Sequence, residues 1–435
     1  MRTIATPEAP GGVPTPPPLR PSTFEALRHR NFRLWFFGQL VSLVGTWMQV
    51  IAQNWLVYQL TGSAWDLGLV NFVGAIPLVP LTLYAGAIAD RFSKRRVIFL
   101  MQAAMMGLAF VLSFLCWTGT VRLWHVLLLA FLLGAAQAID TPARQAFVVE
   151  LVGKEHLANA IALNSGTFHA ARVAGPAAAG LLVAWAGIPW AFFLNGVSFL
   201  AVLGSLFRMD ASLIRRTPFD GKDGNDLWGG VRHILSHRTE GGIVLLISLS
   251  ALLAMPYHVL VPIYAKEILG KSAEAYGVLM TAAGVGAVLG SLVAASGRTT
   301  RRPGTLLLAG SLSFPLILLA FSVSRSYPLS VALLGAVGFV FVLQNAPANS
   351  HLQTLVPDHL RGRVMAIYVS LFLGMLRLGS LFLGWLAFVT SAPVALAVAG
   401  GASLAAGLAV HGMFPEIRRT DREFLPVPGE RGQTP

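Results

Sequence analysis

GAIADRFSKRR, residues 86–96, sets five charged side chains in eleven positions, between two stretches that carry almost no charge. The flanks explain the contrast. Residues 66–89 and 97–117 are apolar blocks of the length needed to cross the hydrocarbon core of a bilayer as helices. Twelve such blocks run from about residue 34 to residue 413. Over the 435 residues the mean hydropathy is +0.67, with 55% hydrophobic and only 12% charged residues, about half the charged fraction of an ordinary soluble domain. Lipid offers the backbone no hydrogen bonds, so each block is predicted to be a helix and the chain an all-α polytopic membrane protein.

The net charge of +13 would suggest nucleic-acid binding in a soluble chain, but its distribution argues otherwise. With both termini on the cytoplasmic side, most of the 32 Lys and Arg fall on that side. Only Arg122, Lys266, Lys271 and Arg325 fall outside, and Arg144, Arg172 and Arg377 fall within helices. The surplus therefore reads as topology, with no nucleic-acid partner. The N-terminal thirty residues contain VPTPPP and no apolar run, which excludes a signal peptide there and predicts a disordered cytoplasmic tail. A single cysteine, Cys116, excludes an internal disulfide.

Residues 209–240 interrupt the apolar series with RRTPFDGKDGNDLWGG and the basic VRHILSHR. The expected organisation is a tail (1–31), a six-helix half (32–208), a central cytoplasmic loop (209–240), a second six-helix half (241–413) and a C-terminal tail (414–435). The halves echo each other. Ser63-Ala64 stands just before Gly68, and Ser272-Ala273 stands equally before Gly277. Pro142 lies 30 residues before Arg172, and Pro347 lies 30 before Arg377. Parallel repeats of this kind enclose a cavity between the halves and expose it alternately to the two sides by rocking.

On these residues the chain resembles the major facilitator superfamily. GAIADRFSKRR is similar to the loop motif between the second and third helices of that family, matching at Gly86, Asp90, Arg91 and Arg95. Ser93 stands where the family usually has glycine, and Lys94 where it has arginine. The resemblance implies a cytoplasmic latch. Asp90 would face the N-terminal end of the eleventh helix, near Val364, and the basic residues would pair with Glu150 from the fourth helix. The alternative is that the cluster anchors topology alone. AIDTPARQAFVVELV (138–152) and ARVAGPAAAGLL (171–182) resemble the branch containing the enterobactin exporter and related siderophore or drug exporters. Gly175, Pro176 and Gly180 resemble, with fewer glycines, the fifth-helix motif of proton-coupled exporters.

Charges inside the membrane are expensive, about 2.5–3.5 kcal/mol each near a helix centre, and so are functional candidates. Asp140 and Arg144 stand i,i+4 and read either as a structural pair or as a proton-coupling pair. His169 shares a face with Ser165 and Arg172 and is a further coupling candidate, or else a hydrogen-bonded core histidine. Arg172 and Arg377, at repeat-equivalent positions, would bind an anionic substrate or serve packing. Gln49, Gln53, Asn345 and Asn349 would line the cavity or join helices. Trp47, Trp55 and Tyr257 would stack on an aromatic ligand or fill apolar space.

There is no Walker A motif, no H-E-x-x-H and no paired cysteine ligands, and GVGAVLG (284–290) lies within an apolar block with no strand before it. The expectation is a non-enzymatic secondary transporter without cofactor or metal. It would be a monomer in the cell membrane, exporting a small amphipathic or anionic molecule in exchange for protons. The alternatives are an importer or facilitator on the same fold, and a non-transporting membrane sensor or scaffold.

Overall fold

The computed structural model describes residues 24–78, 80–81, 92–153, 155–214, 227–295 and 303–419, and within them the chain is almost wholly helical, with no strand. In the first half lie α1 (Arg30–Thr61), α2 (Ala64–Val73), α3 (Lys94–Trp117), α4 (Leu123–Val152), α5 (Leu157–Trp185) and α6 (Ile188–Arg208). In the second lie α7 (Arg238–Leu253), α8 (Ala273–Ala295), α9 (Pro303–Val323), α10 (Tyr327–Leu355), α11 (Asp358–Val389) and α12 (Ala392–Met413). Among the described residues ten helices are long and apolar enough to span a membrane, α7 being counted through Ile268. The other two positions of a twelve-helix plan are filled by α2, apolar but with only ten residues in its described helix, and by the 29-residue α5. Polar residues Asn164, Ser165, His169 and Arg172 lower the hydropathy of α5, and the site described below uses three of them.

Local chemistry sets the turns. α1 stops where Gly62 takes φ 62°, a left-handed conformation open to glycine at no steric cost, and its N–H closes on the Tyr58 carbonyl at 2.8 Å. Ser63 then caps α2 by accepting from the Asp66 N–H at 3.3 Å. Thus α1 and α2 are joined by a two-residue turn. α7 behaves differently: beyond Leu253 it passes into a 3-10 turn (Met255–Val259) and then a π turn (Tyr264–Ile268). Pro256 and Pro262 lack N–H donors and prevent a continuous α-helix there. A short helix, Leu227–Ser236, precedes α7 within the expected central loop and packs on α11.

The repeat expected from sequence is visible in the packing. In the first half α1 packs on α5 and α6, α3 on α4 and α6, and α2 on α4. The second half repeats all five pairs, with α7 on α11 and α12, α9 on α10 and α12, and α8 on α10. Between the halves the main contacts are α5 with α8 and α2 with α11, which exchange under the same pseudo-symmetry.

Those interfaces gather at one end of the bundle, here called the far end, opposite the start of α1 and the end of α12. There a single apolar core contains residues of both halves, among them Trp55, Leu67, Tyr276 and Leu383. At the near end each half has its own core, one around Phe32, Trp35 and Phe147 and the other around Ile243, Leu307 and Leu352. Among the described residues the halves share one core at the far end and have separate cores at the near end.

Candidate functional site

Small residues make the far-end joint possible. Gly180 on α5 meets Gly277 on α8 so closely that a Cβ on Gly277 would lie 2.6 Å from the Gly180 Cα. At the related crossing a Cβ on Gly68 would lie 2.5 Å from the Ser380 carbonyl oxygen, and one on Gly384 would lie 2.6 Å from the Ala64 oxygen. Within lipid, association rests on close packing of this kind. Gly175 serves a neighbouring crossing, since a Cβ there would lie 2.4 Å from Trp47 Cβ on α1. Polar and aromatic contacts add to the seal. The Tyr58 hydroxyl donates to Glu267 across the halves. Trp55 stacks on Tyr276, with ring centroids 5.9 Å apart and planes at 19°. Of the two readings open for Trp55, ligand stacking and apolar filling, the structure shows the second, and the ring is part of the closure.

Beneath the joint lies a cavity of about 550 Å³, lined from both halves. Arg172 from α5 and Arg377 from α11 both reach it, as do His169 and His258. No aspartate or glutamate is among its described lining residues. The Arg172 guanidinium sits 5.9 Å from the Trp47 ring centroid and 5.2 Å from that of Phe341. Aromatic faces attract the cation while leaving its in-plane N–H donors available. Arg377 makes a long contact, 3.5 Å, from Nη1 to the Asn71 carbonyl oxygen. Gln49, Gln53 and Pro176 line the same cavity, as does Tyr257 from the broken part of α7.

The amides have different partners. Asn195 donates to Gln49 at 2.5 Å, joining α6 to α1, and Asn71 donates to Asn54 at 3.1 Å. Both Asn71 and Asn195 escaped the sequence reading, as did His258 and Phe341. An isolated amide or ring in an apolar run carries no periodic signal of which way it faces.

Asn345 and Asn349 do not reach this cavity. With Ser165, Ser291 and Arg361 they line a vestibule of about 990 Å³, which shares His169, Phe341 and Val342 with the cavity and leads to the near end. The arrangement is a mainly apolar chamber that carries two arginines, sealed at the far end and reached from the near end.

The remaining candidates lie elsewhere. Asp140 is fully buried and bonds Arg144 at 2.8 Å. Gln102 Nε2 on α3 donates to both carboxylate oxygens of Asp140, at 3.1 and 3.3 Å, and Arg144 donates to Gln39 on α1 at 2.9 Å. This network ties α1, α3 and α4 together, and neither Asp140 nor Arg144 is among the residues lining the cavity. Of the opening stretch, Gly86, Asp90 and Arg91 lie outside the described residues. Glu150 does pair with a basic residue of that stretch, but the partner is Lys94, at 2.7 Å. Arg95 turns to the Phe207 carbonyl oxygen on α6, at 3.4 Å. Among the described residues no cluster of three or more His, Cys, Asp or Glu side chains is disposed to hold a metal.

Comparison with known proteins agrees with this architecture. The chain is 26% identical over 371 residues to the staphyloferrin A transporter of Staphylococcus aureus, covering 81% of this chain and 88% of the relative. It is 28% identical over 396 residues to the enterobactin exporter EntS of Escherichia coli O1:K1, covering 90% and 93%. A bacterial homologue of the human lysosomal transporter Spinster, solved inward-facing and unoccupied, superposes with a TM-score of 0.66 at 15% identity, over 91% of this chain and 97% of that one. The family model described as transmembrane secretion effector matches residues 21–426, nearly the whole chain. With two repeated six-helix halves around a shared cavity, this chain belongs to that family and is a membrane transporter of the major facilitator type.

Proposed function

We propose that the protein exports an organic anion with aromatic character, of the siderophore or drug type, in exchange for protons. The observation that carries this reading is the pair of repeat-equivalent arginines, Arg172 and Arg377, in one cavity whose described lining includes no carboxylate. Two guanidiniums in one cavity favour an anion that bridges the halves, and the rings of Trp47 and Phe341 beside Arg172 suit an aromatic group. The relatives named for staphyloferrin A and enterobactin support the siderophore class.

In this scheme the protein acts as a monomer in the cell membrane with both termini in the cytoplasm. The near end is then cytoplasmic, substrate enters through the vestibule past Asn349 and Asn345, and opening of the glycine joint releases it outside. Proton coupling is assigned to Asp140 with Arg144, and to His169, which stands where vestibule and cavity meet. Protonation of Asp140 would release Arg144 and loosen the link between α4 and α1. The latch of Asp90, Arg91 and Arg95 with Glu150 would act at the near end when that side closes.

Everted membrane vesicles acidified inside by respiration test the reading. Addition of catecholate siderophores or aromatic carboxylates is expected to dissipate the pH gradient in vesicles holding the protein, with the response lost in Asp140→Asn. Transport of the compounds without any proton movement would reject the coupling. A response only to organic cations would reject the substrate class.

A further inference from the structure

A second cavity, of about 750 Å³, opens at the near end of the first half, on the side of the bundle away from the transport chamber, and none of its lining residues is shared with that chamber. Lys94, Arg95 and Arg96 at the start of α3 enter it, with Glu150 of α4 and Phe207 at the end of α6. Lys94 is occupied by Glu150. Arg95 makes its 3.4 Å contact to a carbonyl oxygen at an exposed position, and the Arg96 guanidinium has no hydrogen bond or ion pair among the described residues, its backbone N–H alone donating to the Ser93 carbonyl. Among its described lining residues three cations thus face a single carboxylate. One helical turn further, at i+4, Arg95 is followed by Phe99 and Arg96 by Leu100, so each guanidinium stands above an apolar side chain on the same face. Phe99, Leu100 and Phe207 are all solvent-exposed, Phe207 at 81%. Exposed apolar side chains on a membrane-spanning bundle are covered by lipid tails.

We propose that this cavity is a binding site for an anionic phospholipid. Arg95 and Arg96 hold the phosphodiester of its headgroup, and its acyl chains lie along Phe99, Leu100 and Phe207. Guanidinium groups match phosphate oxygens with paired N–H donors, and basic pockets between helices at this depth suit anionic headgroups. The apolar rim is what selects a lipid over a free phosphate ion, which would gain nothing from it. A lipid bound here bridges α3 to α6 and lies beside the Lys94–Glu150 pair, so its presence would bear on that contact.

The test uses purified full-length protein in neutral detergent, titrated with phosphatidylglycerol, phosphatidylcholine or inorganic phosphate, with bound lipid counted by native mass spectrometry. One phosphatidylglycerol per protein is expected, with phosphatidylcholine held at least about tenfold more weakly. Each arginine near a charged membrane surface contributes about fivefold, so Arg95→Gln with Arg96→Gln should weaken phosphatidylglycerol binding about 25-fold. Arg96→Gln alone should weaken it about fivefold, which keeps the test informative if the double variant fails to fold. Arg28→Gln with Arg33→Gln removes the same charge from exposed positions on the same half and should leave binding unchanged. Equal losses in the two double variants would reduce the effect to general charge and overturn the site. Displacement of the lipid by inorganic phosphate at matched concentration would overturn the lipid assignment.

Discussion

The glycine joint at the far end yields a quantitative prediction. In Gly277→Ala the new methyl carbon would lie 2.6 Å from the Gly180 Cα, 2.8 Å from the Pro176 carbonyl oxygen and 3.0 Å from the Gly180 nitrogen. Carbon atoms rest at about 3.5–4.0 Å, so α5 and α8 must part by roughly 1 Å. All three obstructing atoms are backbone, and no side chain can rotate away. Overpacking of this kind costs about 1–3 kcal/mol. The cost falls only on the state in which the far end is closed. At about 1.4 kcal/mol per factor of ten, the equilibrium should shift about 5- to 150-fold toward far-end opening. Spin labels at Thr61→Cys and Lys271→Cys, on a Cys116→Ser background, report the separation of the halves by pulsed dipolar spectroscopy. Gly277→Ala, and Gly68→Ala at the related crossing, should populate a longer distance. Gly166→Ala on α5 and Gly374→Ala on α11 provide controls on the same pairs of helices, because a Cβ at either meets nothing within 4 Å. A distance distribution in Gly277→Ala identical to that in Gly166→Ala would refute the argument.

Other consequences are checked in the same molecule. Tyr58→Phe removes one hydrogen bond across the halves, about 0.5–1.5 kcal/mol, and should raise the far-end-open population by up to about tenfold with the same labels. Asp140→Asn leaves Arg144 without its counter-ion and should destabilise the protein by about 3–5 kcal/mol, read as a lowered Tm in detergent. Adding Arg144→Gln should then cost little more, and an additive loss would contradict the pairing. Arg172→Gln and Arg377→Gln should each weaken binding of an aromatic carboxylate by about 10- to 150-fold in calorimetric titration, corresponding to a charged hydrogen bond of about 1.5–3 kcal/mol.

Features that repeat, or that violate the apolar rule, were legible in the sequence. The equivalence of Gly68 and Gly277 was read from two short matches, and these glycines sit at the two crossings that join the halves. Arg172 and Arg377 stood out because cations inside a span are costly, and both reach one cavity. The Asp140–Arg144 spacing became a 2.8 Å ion pair. What escaped depends on side-chain direction and on partners distant in sequence. Nothing in the chain distinguishes Lys94 from Arg95 as the partner of Glu150, because adjacent helix positions diverge by about 100° and the packing of α6 decides which is drawn aside. Trp55 and Trp47 look alike along α1, yet one stacks on Tyr276 in the seal and the other flanks Arg172. Asn345 and Asn349 line the vestibule because α10 lies along the whole entrance path. The break in α7 at Pro256 and Pro262 is hidden by the unbroken apolarity of the seventh block, which by hydropathy alone predicts one uninterrupted helix.

The central claim is that a cationic cavity shared by the two halves carries an organic anion across the membrane. Flux of a radiolabelled aromatic carboxylate through proteoliposomes, set against its neutral methyl amide, tests it most directly. Wild-type protein should accelerate movement of the carboxylate well above protein-free liposomes and leave the amide at background. Arg172→Gln with Arg377→Gln, inserted at equal density, should abolish the carboxylate flux. Equal flux of the amide, or a double variant transporting at the wild-type rate, would contradict the account.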